Sequence, residues 1–286
     1  MACEYDCIVV DRGIFTHILV GTDGSARAED AVRQGARLAS ITGASLEVLF
    51  VIDTGRPHDE DLRPITEAAI AKATTAAEEA GVEPGTRIVA GDPAARLIAE
   101  AHERRTDLIC VGQDAGLTTR PPRIGRVASR VLREAPCSVL VGRSIGPSFP
   151  SRIVCAIDGS EDSADLAAFA VSMAAAEAET RLVHVIPVFR SRTRGRKVIE
   201  SLASRELERA TSAATARDAF QTREVVRGRP ERRLVSMTKR DGSDLLVVGH
   251  RGVSGIQRLM LGSVSEYCAY NASCSVLVSR PQPTRA

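Results

Sequence analysis

The chain has 286 residues, of which 44% are apolar and 26% charged, with a formal net charge of +2 at pH 7. That length suits two domains, each able to bury a core of its own, and the near-balance of charge gives no electrostatic reason to expect nucleic-acid binding. Six Phe, three Tyr and no Trp leave Ala, Val, Leu and Ile to build the interior, and no apolar run approaches the roughly 20 residues that span a bilayer.

Residues 1–14 carry Cys3 and Cys7 in a C-x3-C spacing. No second Cys or His pair lies near enough in sequence to complete a zinc site, so no metal is expected. The segment lacks a basic start and a long apolar stretch, unlike a signal peptide. Cys110, Cys137, Cys155 and Cys274 fall inside apolar runs. They read as buried free thiols in a reducing cytosol, and the expected location is cytoplasmic.

From residue 15 the rhythm is strand then helix. "HILVGTD" (17–23) is an apolar run ending at a turn, and "SARAEDAVRQGARLASITG" (25–43) has helical spacing and a closing Gly. "SLEVLFVID" (45–53) is the second strand, and an Ala-rich charged stretch near 62–80 the second helix. "TRIVAGD" (86–92) is a strand, "PAARLIAEAHERR" (93–105) a helix opened by Pro, and "DLICVG" (107–112) the fourth strand. "GRVASRVLREA" (125–135) and "CSVLVGR" (137–143) complete the set. "RSIGPSFPSR" (143–152) follows, rich in Pro, Gly and Ser, and reads as the linker between domains.

The set then repeats. "CSVLV" occurs at 137–141 and at 274–278, an offset of 137 residues. "GDPAARLI" from Gly91 faces "GRPERRLV" from Gly228, and "TDLICVG" ending at Gly112 faces "SDLLVVG" ending at Gly249, both at that offset. "VGTDGS" (20–25) faces "CAIDGS" (155–160) at an offset of 135. This is a tandem duplication of one domain, its period far beyond that of a solenoid. The expected organisation is an extension over 1–14, a domain over 15–143, a linker over 144–150, a second domain over 151–280 and a tail over 281–286. Alternating apolar strands and amphipathic helices predict an α/β fold, with five parallel strands per copy buried on both faces.

Ligands of such sheets bind beyond the C-terminal strand ends, where the strand order reverses. Two second-copy segments end there: "AIDGS", with Asp158, and "GHRGVSGIQRLMLGS" (249–263). Gly249 permits a sharp turn, and Gly252 lets backbone approach a ligand with no Cβ in the way. Gly262 and Ser263 open a helix whose N-terminal amides attract anions, the Ser263 hydroxyl donating to a phosphate or capping the helix. Arg251 adds positive charge, Asp158 can accept from a ribose or base, and His250 is expected to be exposed in the loop. Asp158 and Asp23 equally suit a plain D-G-S turn.

The pattern G-x2-G-x9-G-[ST] after the fourth strand, with a D-G-S turn after the first, resembles the universal stress protein family over about 15–143 and 151–280. The resemblance implies two doubly wound five-stranded sheets of order 3-2-1-4-5. It implies ATP, with or without Mg2+, held over ribose and phosphates by Gly249, Gly252, Gly262 and Ser263, with Asp158 beside the nucleoside. His250 and Arg251 lie in the variable gap of the motif, so their assignment rests on chemistry alone. In the family the last strand commonly pairs across a dimer, which implies an intrachain pseudo-dimer here, with a further homodimer open.

The first copy departs from the pattern. Asp23, Gly112 and Gly125 match, but Ala115 replaces the second glycine and Arg126 the serine. Asp114 stands where Arg251 stands in the second copy, and Pro121 and Pro122 lack N–H donors. Weak or absent ATP binding is expected there, with Arg126 able to meet a phosphate from the old serine position. His184 reads as a core or strand-end histidine, and the basic run 190–197 as a solvated loop rather than a nucleic-acid contact. No nucleophile–base pairing and no P-loop lysine signature appear, so slow ATP hydrolysis is the most that is expected. The expected function is an ATP-binding stress-response regulator with an unidentified protein partner. A scaffold without nucleotide and a slow ATPase are the alternatives.

Overall fold

The computed structural model describes residues 15–55, 62–113, 124–143, 146, 148–160, 163, 166–168, 170, 178–187, 196–213, 222–250 and 261–280. The first half runs β1 (His17–Thr22), α1 (Ala26–Thr42), β2 (Ser45–Asp53), α2 (Arg63–Glu78), β3 (Gly85–Gly91), α3 (Pro93–Glu103), β4 (Leu108–Gly112), α4 (Arg126–Glu134) and β5 (Ser138–Gly142). The second runs β6 (Arg152–Ile157), β7 (Glu179–Pro187), α5 (Arg196–Ala213), β8 (Thr222–Gly228), α6 (Pro230–Asp241), β9 (Leu245–Gly249), α7 (Ser263–Asn271) and β10 (Ser275–Ser279). Between β6 and β7, residues 163, 166–168 and 170 are helical.

Local signals explain the boundaries. Ser25 caps α1 by accepting from the Ala28 N–H at 3.2 Å, and Gly43 ends it in the left-handed region at φ 71°. Asp92 caps α3 by accepting from the Ala95 N–H at 2.8 Å, with Pro93 next in the first turn.

All ten strands form one sheet in the order β3-β2-β1-β4-β5-β10-β9-β6-β7-β8. Each half is therefore a parallel sheet of order 3-2-1-4-5 with helices between strands. The halves join where β5 and β10 pair antiparallel, Leu140 opposite its own repeat Leu277. Val139, Leu140, Val141, Val276, Leu277 and Val278 are all fully buried at this seam, which removes two sheet edges from solvent.

The seam is locked by a reciprocal exchange. Arg143 reaches across to donate to the carbonyls of Cys274, at 2.9 Å, and Ala269. Arg280 returns the gesture to Cys137 at 2.9 Å and Leu132 at 2.8 Å. Each guanidinium thus sits at the C-terminus of the other half's last helix, on the Ala269 carbonyl of α7 or the Leu132 carbonyl of α4, where a cation is favoured. Arg143 is 6% exposed, and burial pulls its guanidinium down to about 10, so it stays charged at neutral pH. Ser129 Oγ meets Tyr270 Oη at 2.6 Å across the same seam. Within the segment that joins the halves, Phe149 is 4% exposed and belongs to the core.

Polar cores in the two halves are charge-inverted. Glu47 on β2 is 6% exposed and pairs with Arg87 at 3.6 Å and Arg104 at 3.1 Å. Arg181 occupies the matching place on β7, pairing with Glu224 at 3.5 Å and with Asp241. The registers correspond, with Glu47 opposite Gly85 and Arg181 opposite Thr222, each two residues before the partner on the next strand.

Candidate functional site

The strand order reverses between β6 and β9, so their C-terminal ends frame the second-half crevice. Gly249 is the last residue of β9 and pairs with Ser279 of β10. His250 does not enter the loop as expected. Its N–H donates to the Ser279 carbonyl at 2.8 Å, its carbonyl accepts from the Gly262 N–H at 2.9 Å, and the residue is 6% exposed. One further rung of sheet pairing carries it inward. Strand end and helix start are thereby pinned together in a neck. Arg251 and Gly252 lie outside the described residues, as does Gly255.

At the helix side of the neck, Gly262 is the N-cap of α7 and supplies no capping side chain. Ser263 is the first helical residue and is exposed. The helix cap considered for Ser263 therefore falls to Gly262. The first-turn amides of α7 have no capping oxygen from the N-cap position, the condition under which a helix N-terminus takes an anion. Ser265 adds a lock that sequence reading missed: its hydroxyl donates to the Gly249 carbonyl. The matching residue of the first half is Ala128, which has no hydroxyl.

Asp158 follows β6 directly. Its Oδ1 accepts from the Ser160 N–H at 3.0 Å and stands 3.5 Å from the Ser163 hydroxyl. Gly159 takes φ 81°, and its N–H donates to Ser163 Oγ at 3.1 Å. Asp23 makes the same turn, Oδ1 accepting from the Ser25 N–H at 3.0 Å, so both aspartates fill the turn role. His184, opposite Ile157 in β7, is 8% exposed, with Nδ1 3.3 Å from Glu206 Oε2 on α5. Burial lowers its pKa, against the opposing pull of Glu206 and Asp158.

In the first half, Gln113 mirrors His250, donating to Gly142 at 3.1 Å and accepting from the Gly125 N–H at 2.6 Å. Gly125 is the N-cap of α4 with no capping side chain, and Arg126 is its exposed first residue. The neck is thus common to both halves. Gly112 has a reason of its own: a Cβ there would lie 2.8 Å from the Arg27 carbonyl oxygen at the start of α1. Its retention reflects helix–strand packing. Asp114, Ala115, Pro121 and Pro122 lie outside the described residues, as do residues 1–14, the tail 281–286 and most of the basic run.

Cys110, Cys137, Cys155, Cys268 and Cys274 are free and buried, and burial pushes the Cys137 and Cys268 thiols up to about 12. They are inert core residues. Among the described residues, no group of three or more His, Cys, Asp or Glu gathers as a metal cluster, and no helix is long and apolar enough to cross a membrane.

A doubly wound parallel sheet, doubled in one chain, defines a tandem α/β fold. The sequence profile described as the universal stress protein family matches residues 15–143 and 150–280, and the chain belongs to that family. A universal stress protein of Mycobacterium tuberculosis is 26% identical, the match covering 92% of this chain and 96% of that one. The crystal structure of a universal stress protein from Archaeoglobus fulgidus shares the fold with a TM-score of 0.70 at 19% identity, covering 92% of this chain and 98% of that one. A universal stress protein crystallised in complex with cAMP is 30% identical and covers 45% of this chain and 97% of its own, at a TM-score of 0.38.

Proposed function

We propose that the chain is a cytoplasmic stress-response regulator whose second half binds ATP, alone or with Mg2+, at the C-terminal ends of β6 and β9. Gly249, Gly252 and Gly262 leave room for the ligand against backbone. The first-turn amides of α7, the Ser263 hydroxyl and Arg251 meet phosphate oxygens. His250 serves through its backbone by closing the neck, and Asp158 accepts from the nucleoside. Occupancy then acts as a conformational or partner switch, through α7 to the seam with the first half. That seam takes the place of a dimer contact within one chain.

The observation that carries this reading is Ser263, exposed on the first turn of α7 at a helix N-terminus with no side-chain cap, where the first half has Arg126. The 2.9 Å Gly262–His250 bond holds that N-terminus beside a strand end at the switch point. The first half shares the neck but replaces the motif's serine with Arg126 and its middle glycine with Ala115, which supports a single working site.

Titration calorimetry tests it, with ATP and cAMP as probes. ATP binds at one site per chain, Gly252→Val abolishes the binding heat, and Ala115→Gly changes it little. Absence of binding at millimolar ATP with magnesium overturns the reading, and two sites of equal affinity overturn the assignment to the second half.

A further inference from the structure

The two halves differ sharply at one place beside the crevice. In the first half, Thr22 at the end of β1 lies opposite Phe50, and α2 brings Ala69 against Gly24, whose added Cβ would meet the Ala69 Cβ at 2.7 Å. Phe50 is 8% exposed and Ala69 4%. The corner is apolar and closed.

The second half builds the same corner from other chemistry. Ile157 at the end of β6 lies opposite His184, and α5 brings Glu206 against Gly159. The Glu206 carboxylate lies so close to Gly159 that any Cβ there would collide with it. The His184 side chain is 10% exposed, yet that of Glu206 is 35% exposed. His184 Nδ1 stands 3.3 Å from Glu206 Oε2, yet it is buried and makes no hydrogen bond in the structure, so the imidazole backs the carboxylate by contact. A buried imidazole thus stands behind a carboxylate that looks outward beside Asp158. The fold does not need this pair, since its own repeat closes the corner with Phe and Ala.

We infer that Glu206, backed by His184, forms with Asp158 a pair of acceptors that reads hydrogen-bond donors on the nucleoside end of the ligand. This rests on the nucleotide reading above and adds a residue and a direction to it. Two carboxylates repel phosphate and accept from hydroxyl or amino groups, so the corner at β6 and β7 takes the sugar diol or a base amine. The phosphates then run the other way, toward Ser263. Glu206 touches the ligand, and His184 is a positioning residue.

Calorimetry with four probes tests this: ATP, inorganic tripolyphosphate, 2′,3′-dideoxy-ATP and inosine triphosphate. Glu206→Ala and His184→Phe install the first half's own residues, and both melt close to wild type. Glu206→Ala weakens ATP about ten- to a hundredfold, the scale of a hydrogen bond to a charged group. Tripolyphosphate affinity stays level or rises. The loss vanishes with dideoxy-ATP if the diol is read, or with inosine triphosphate if the amine is read. His184→Phe shifts the same selectivity by a smaller factor. Equal losses for ATP and tripolyphosphate, or a loss that persists with both analogues, overturn the inference. Wild-type binding with an unaffected Glu206→Ala overturns this inference alone, whereas no wild-type affinity for ATP overturns the nucleotide reading with it.

Discussion

Replacing Arg143 by methionine probes the seam most directly. The guanidinium is 6% exposed and bonds the Cys274 and Ala269 carbonyls. Loss of both donors leaves two buried carbonyls unsatisfied, at about 1–3 kcal/mol each. Relief from holding a buried cation and the apolar contacts of methionine offset part of that. The expected net loss is about 2–4 kcal/mol. Arg280→Met removes the repeat-related bonds to Cys137 and Leu132, plus a weaker one to Arg133 at 3.3 Å, so its cost is at least as large. The assay is urea unfolding followed by circular dichroism and by tyrosine emission, because Tyr270 stands at the seam against Ser129. In the variants the tyrosine transition precedes the loss of helix as the halves separate. Losses below about 0.5 kcal/mol for both, within the ordinary range for neutral surface changes, or a large loss for one Arg and none for the other, refute reciprocal capping.

Four other outcomes follow from the geometry. Gly252→Val removes ATP binding in calorimetry while leaving the melting temperature of the free protein near wild type. His184 has a pKa below its ordinary 6.5. As pH falls through 6.5 the unfolded chain takes up a proton that the folded one refuses. Stability therefore falls with acid until the lowered folded value is passed, and His184→Phe flattens that slope in denaturation curves taken across the window. Gly112→Ala forces a backbone shift at the start of α1, where its Cβ would lie 2.8 Å from the Arg27 oxygen; chemical denaturation shows a loss of about 1–3 kcal/mol. Glu47→Arg adds a third guanidinium beside Arg87 and Arg104, which keep Glu100 as partner and are over a third exposed; the cost is about 1–3 kcal/mol by the same measurement, and adding Arg104→Asp recovers part of it, as the second half's Arg181–Asp241 pair does natively.

The fold was legible because its signals are local and repeated. Apolar strand runs, the Ser25 and Asp92 caps and Pro93 mark elements within one or two residues of where they form, and duplication let each half vouch for the other. The site was legible only in part. His250 read as a loop residue because nothing in a sequence tells that β9 gains one more rung against Ser279. Gly112 read as a ligand glycine because its clash with Arg27 is tertiary. Ser265 and Glu206 carried one available signal, a polar residue where the other half has Ala128 and Ala69. Comparison of the repeats position by position, rather than motif by motif, would have found both.

The duplication also separates what the fold requires from what a ligand requires. The neck and the glycine N-caps of α4 and α7 occur in both halves; they belong to the architecture, and a ligand is argued from what the halves do not share. What distinguishes the second half is Ser263 and the Ser265 lock at α7, where the first half has Arg126 and Ala128, and Glu206 and His184 beside Asp158, where the first half has Ala69 and Phe50 beside Asp23. A buried histidine with a lowered pKa is a cost to stability in acid that the first half avoids with Phe50. The first half shows that the fold has an apolar solution at this corner, so Glu206 and His184 are the residues whose removal separates fold from ligand, and the Glu206→Ala titration measures that separation.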